Sequence, residues 1–124
     1  MFEKVGPMHV RSSWGFEVKC WKRATQIYVE YREGDHILHY DNTQNATELG
    51  CPLFSIMPSY MQHWLPPFAD ANIGQREKKR IIENMAAALD FMGLSANVLD
   101  SRGAVIAGFD EHGWVWKAEE WQNV

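Results

Sequence analysis

Residues 74–94 read Gly-Gln-Arg-Glu-Lys-Lys-Arg-Ile-Ile-Glu-Asn-Met-Ala-Ala-Ala-Leu-Asp-Phe-Met-Gly-Leu, and their spacing predicts a helix over about residues 75–92. Ile81, Met85, Ala88 and Met92 recur at intervals of four and three, and Ile82 and Leu89 widen the stripe, so one apolar face can bury while the cations stay in water. Gly93 can adopt the left-handed conformation that ends a helix, and Leu94 is placed to touch Leu89 as in a Schellman ending. Gly74 serves as a modest N-cap, with Glu77 three residues on. Upstream, Trp64-Leu65-Pro66-Pro67 is an extended approach that cannot itself be helical. Arg76, Lys78, Lys79 and Arg80 crowd the positive end of the helix dipole and Asp90 lies near the negative end. Glu77 and Glu83 relieve part of that charge, and the reading is a solvated basic face. A basic patch of this size on an acidic chain does not argue for nucleic acid.

One helix with one apolar face needs an apolar surface to cover. On the N-terminal side, Met8 to Arg11 and Phe16 to Trp21 read as strands around Ser12-Ser13-Trp14-Gly15. Phe16, Val18 and Cys20 alternate with Glu17, Lys19 and Trp21, the period of a half-buried strand. Thr25 to Glu33 sets Ile27, Val29 and Tyr31 against Tyr28, Glu30 and Arg32. Glu33-Gly34-Asp35 then turns the chain into His36-Ile37-Leu38-His39-Tyr40, giving an antiparallel meander. Pro52 to Met57 is a fifth candidate, and Ser59 to Trp64 reads equally as a helical turn or an extended connection. Beyond the helix, Ala96 to Leu99 is a strand, and Ala104 to Phe109 pairs with Gly113 to Lys117 across Asp110-Glu111-His112-Gly113. Sheet, then helix, then sheet predicts an α+β fold, with the helix on one face of a mainly antiparallel twisted sheet.

A chain of 124 residues with 46% hydrophobic and 23% charged content is expected to form one domain, residues 1–124, around one core. Net charge of -4 and a pI near 5.7 disfavour nucleic acid and anionic membranes. Cys20 and Cys51 have no Cys-x-x-Cys spacing and read as two buried, reduced thiols. The opening residues lack the pattern of a signal peptide, and no run reaches the roughly twenty apolar residues of a membrane span. The expected location is the cytoplasm.

The sequence carries little that suggests catalysis. His36, His39 and Asp41 form the nearest thing to a ligand cluster, but residues three apart in a strand point to opposite faces, so the imidazoles cannot easily share a metal. No phosphate loop, zinc spacing or dinucleotide fingerprint occurs. The paired acids Asp110-Glu111 and Glu119-Glu120 read as solvated charges of a turn and a tail. Enzymatic activity, metals and cofactors are not expected. Six Trp, four Tyr and six Phe exceed what one core layer under one helix obviously requires, which shifts weight to a binding role.

Several phrases resemble small bacterial immunity proteins of contact-dependent growth inhibition and related polymorphic toxin systems. They are Trp-Gly-Phe-Glu-Val (Trp14 to Val18), Tyr-Arg-Glu-Gly-Asp (Tyr31 to Asp35), Trp-Leu-Pro-Pro (Trp64 to Pro67) and the helix phrase from Arg80 to Leu94. The resemblance spans roughly residues 10–100, leaves the tail from Arg102 uncovered, and meets Gly74 where such proteins usually show Ser, Thr or Asp. It implies a non-enzymatic cytoplasmic protein that binds a cognate toxin domain, often a nuclease, and blocks its active site. A basic nuclease groove would suit an acidic partner with aromatic anchors. On that logic the expected toxin-binding surface is Asp110, Glu111, Trp114, Trp116, Glu119, Glu120 and Trp121, with Glu30, Glu48 and Asp70 as a second group. Two other readings stand beside it. One is a small ligand-binding or enzymatic domain, with a pocket between sheet and helix and His36, His39 or His63 at its mouth. The other is an adaptor that dimerises through its aromatics.

Overall fold

The computed structural model describes residues 1–23, 26–42, 53–61 and 63–117. The fold is α+β, and its strands divide between two sheets. Strands β1 (Phe2–Gly6), β2 (His9–Ser12), β3 (Phe16–Arg23), β4 (Gln26–Glu33) and β5 (His36–Asn42) form a five-stranded antiparallel meander in sequence order. Its two faces follow the alternation in the sequence. Val10, Ser12, Phe16, Val18, Cys20, Val29, Tyr31, Leu38 and Tyr40 are buried. The intervening residues carry charge and meet across the strands. Glu17 accepts from Arg11 Nε at 3.0 Å and lies 3.0 Å from His9 Nε2, and His39 Nε2 lies 2.9 Å from Glu30. The hydrogen bonds from His9 and then Arg11 hold the Glu17 carboxyl below its ordinary range.

Strand β1 is absent from the sequence reading. Its central residues Glu3, Lys4 and Val5 are all exposed, so this edge strand has no apolar alternation to announce it, and its register with β2 shifts between Lys4 and Gly6.

The second sheet has the order β6 (Leu53–Ile56), β7 (Ser95–Leu99), β8 (Val105–Asp110) and β9 (Gly113–Trp116). Here the expectation of a single sheet is refined: β6 pairs with β7, in parallel, and not with the meander. A parallel pair needs a crossover, and helix α1 (Gln75–Phe91) lies within it. The β8–β9 hairpin closes at the predicted place, with Asp110 opposite Gly113.

Helix α1 buries Ile81, Ile82, Met85, Ala86, Ala88 and Leu89, the stripe read from the spacing with Ala86 added and with Met92 left half-buried at the C-cap, one residue past the helix end. Gly74 is its N-cap, without a side-chain cap bond. At the other end Gly93 has φ 86°, and Leu94 N donates to Leu89 O at 2.8 Å, which completes the Schellman ending. The helix packs on β7 and also reaches β3, so one core serves both sheets. Across the second sheet, Ile56, Val98, Ala107 and Trp116 are successive register partners. The first three of these are fully buried. Met61, Trp64 and Ile73, from the segment that leads to the helix, fill the space beside the meander, where Trp64 stacks on Tyr31 with ring centroids 6.5 Å apart. Among the described residues, no helix is long and apolar enough to cross a membrane.

Candidate functional site

Two aromatic surfaces border α1, one on each flank. The first is built by the β8–β9 hairpin, where the sequence reading placed its site. The register that puts Trp114 opposite Phe109 and Trp116 opposite Ala107 sends both indoles to the helix side of the sheet. Phe109 and Trp114 meet edge to face at 5.1 Å, and Trp114 and Trp116 at 5.8 Å. The row ends on the helix: Trp116 Nε1 donates to Glu83 Oε1, and Lys79 Nζ lies 5.5 Å from the Trp116 ring centroid.

Trp114 and Trp116 are therefore half-buried and packed against the core, while Phe109 is 37% exposed. Beside them Asp110 and Glu111 stand in water at the turn. Asp110 Oδ1 accepts from His112 N at 2.7 Å, an Asx turn that fixes the hairpin tip, and Glu111 lies 3.5 Å from His112. The structure thus brings Asp110, Glu111, Trp114 and Trp116 together on one hairpin. Glu119, Glu120 and Trp121, the rest of the expected surface, lie outside the described residues. Of the second group, Glu30 faces outward from the meander against His39, Asp70 is exposed in the loop before the helix, and Glu48 lies outside the described residues.

The Trp114 indole nitrogen is buried without a hydrogen-bond partner, as is Asn97 Oδ1. An unpartnered buried donor carries a penalty of about 1–3 kcal/mol.

The second surface was not read as a site from sequence. A cleft of about 410 Å³ is lined by Trp14, Phe16, Glu33, Arg80 and Asn84. Three of these side chains and the buried Tyr31 form one chain of hydrogen bonds. Asn84 Nδ2 donates to the Tyr31 hydroxyl at 2.9 Å, which donates to Glu33 Oε2 at 2.6 Å, while Glu33 Oε1 accepts from Arg80 at 2.7 Å. Burial raises the Tyr31 hydroxyl far above its ordinary value, and the Glu33 carboxylate adds to the effect, so this phenol stays a donor. The one signal in the sequence is Trp14 itself, a large indole between Ser13 and Gly15 in a turn, and it is 76% exposed.

The histidines are elsewhere. His36 stacks on Phe68 with centroids 3.8 Å apart and meets Trp64 edge to face at 5.0 Å. His39 lies on the opposite side of the meander, against Glu30 and Trp21. His63 is exposed and bridges to Asn72. The cleft beside the helix thus has an aromatic and polar lining in which none of these three takes part. Among the described residues, no group of three or more His, Cys, Asp and Glu is placed to hold a metal ion. Cys20 is buried, and burial pushes its thiol up to about 12, which leaves it inert as a nucleophile near neutral pH. Cys51 lies outside the described residues.

Comparison with protein-family models, with curated proteins and with solved structures finds no match. The functional reading rests on the chain itself.

Proposed function

We propose that the chain is an immunity protein, which binds a cognate toxin domain in the cytoplasm and neutralises it by occluding its active site. The toxin is a nuclease on this reading. The observation that carries the proposal is the β8–β9 edge: a half-exposed row of Phe109, Trp114 and Trp116 held rigid by the helix, with the carboxylates of Asp110 and Glu111 in water beside it. A nuclease groove is basic because it holds phosphates. Opposed carboxylates speed encounter with such a groove, and packed aromatic anchors slow release. The resemblance of the Trp14, Tyr31, Trp64 and Arg80 phrases to immunity proteins supports the same class.

The test separates the two contributions. Replacing Asp110 and Glu111 together by Lys is expected to slow association with the toxin domain about tenfold or more at low salt, and by less as salt rises. Phe109→Ala is expected to act on dissociation instead. Phe109→Ala removes a ring contact with Trp114, and the change at Asp110 removes its bond to His112 N, so circular dichroism is used to establish that each variant is folded at the temperature of the binding measurement. Unchanged association and dissociation in folded variants would remove this edge from the contact surface.

A further inference from the structure

Among the described residues, Trp116 is the member of the aromatic row that bonds to the helix. Its indole N–H donates to Glu83 Oε1, and Lys79 Nζ lies 5.5 Å from the centre of the same ring. Lys79 and Glu83 are four positions apart, which puts both on one flank of α1, one meeting the edge of the indole and the other its face. The core does not require the Glu83 contact: Glu83 is exposed, and the side chains that α1 buries are others.

The other two rings have no polar tether. Trp114 Nε1 is buried without a hydrogen-bond partner, and a phenyl ring has no donor to use. Their orientation comes from contact: Trp114 meets Trp116 at an interplanar angle of 83°, and Phe109 meets Trp114 at 77°. Edge-to-face pairs are directional, because the positive edge of one ring seeks the negative face of the next. Packing on the core sets how deep Trp114 and Trp116 sit, but the terminal torsion of an aromatic side chain is broad, so depth alone does not fix rotation. The orientation of the row starts at the Glu83 carboxylate and passes outward through Trp116 and Trp114 to Phe109.

We infer that Glu83 is a positioning residue for the β8–β9 edge. Its bond to Trp116 holds Trp114 and Phe109 in the orientation in which a partner meets them. An anchor ordered before binding has less freedom to lose, and each aromatic side chain left loose weakens a complex about two- to tenfold. The effect on binding rests on the reading of this edge as the toxin-binding surface. The effect on the rings does not, and is read in the free protein.

The experiment is ¹⁵N relaxation of the tryptophan indole N–H groups in the full chain, for the parent, Glu83→Ala and Glu83→Gln. It is followed by the dissociation rate of each from the toxin domain that copurifies with the parent. Glu83→Ala is expected to lower the order parameter of the Trp114 indole, a ring that Glu83 does not bond, and to speed dissociation about fivefold. Glu83→Gln removes the charge and keeps a carbonyl acceptor, so both values return close to those of the parent. Unchanged order at Trp114 in Glu83→Ala would overturn the inference, because Glu83 would then hold Trp116 alone. Glutamine and alanine acting alike would also overturn it, since the charge of the carboxylate and not its bond would be at work. So would unchanged dissociation of Glu83→Ala where Phe109→Ala dissociates faster. If Phe109→Ala leaves dissociation unchanged as well, the toxin reading of the edge fails, and the Trp114 order parameter alone decides the role of Glu83.

Discussion

Tyr40 shows how much a single side chain carries in this fold. Its hydroxyl, on the last strand of the meander, accepts from Met57 N at 2.6 Å and donates to Ser55 O at 3.2 Å, so it satisfies backbone groups at the edge of the second sheet. Burial pushes its phenol up to about 12, so it stays protonated and able to donate throughout the neutral range. Tyr40→Phe keeps the ring and removes the oxygen, leaving the Met57 N–H without its partner. The expected loss is about 1–3 kcal/mol, measured by urea denaturation. A loss below about 0.5 kcal/mol would mean that the two sheets are not joined through this hydroxyl. Trp14 is the opposite case at the same scale. With three quarters of its surface in water, Trp14→Ala is expected to leave stability within about 0.5 kcal/mol of the parent.

Helix α1 is the element on which the rest depends, and it was also the most legible. Its period repeats over the whole segment, and Gly93 marks its end because few other residues tolerate φ 86°. Gly93→Ala has open space around the added methyl, so its cost is conformational, about 1–2 kcal/mol by thermal unfolding. No change in stability would show that the ending contributes nothing. The meander was legible for a similar reason: Val18, Cys20, Val29 and Tyr31 alternate with charges over a sheet that has one wet face. Strand β1 was not, because an exposed edge leaves no apolar trace. The pairing of β6 with β7 was hidden too, since it is chosen by the helix crossover between them and not by any local pattern. The β8–β9 turn acids and both tryptophans were legible as neighbours on one hairpin, yet the contact of Trp116 with Glu83 and Lys79 was not, because it joins residues distant in the chain. The Trp14 cleft was missed for the same reason: the β2–β3 turn, β3, β4 and α1 together line it.

Across the whole molecule, the helix divides two surfaces of different chemistry, an acidic aromatic edge at β8–β9 and a cleft at Trp14 whose two charges, Glu33 and Arg80, are paired with each other. The edge is also structural. Ile106 and Ala107 are buried, and Trp114 and Trp116 pack on the core, so truncation after Asp100 is expected to abolish cooperative unfolding in circular dichroism melts. A truncated chain that still melts cooperatively would show that β8 and β9 are dispensable to the core. The proposed inhibition is tested most directly by isolating this protein with whatever toxin domain copurifies from its native operon, and titrating the nuclease activity of that domain with it. The predicted result is a one-to-one complex in which activity falls to zero at equal stoichiometry, and in which Lys at positions 110 and 111 restores activity in dilute mixtures. Full activity in the presence of excess folded protein, with no complex formed, would contradict it.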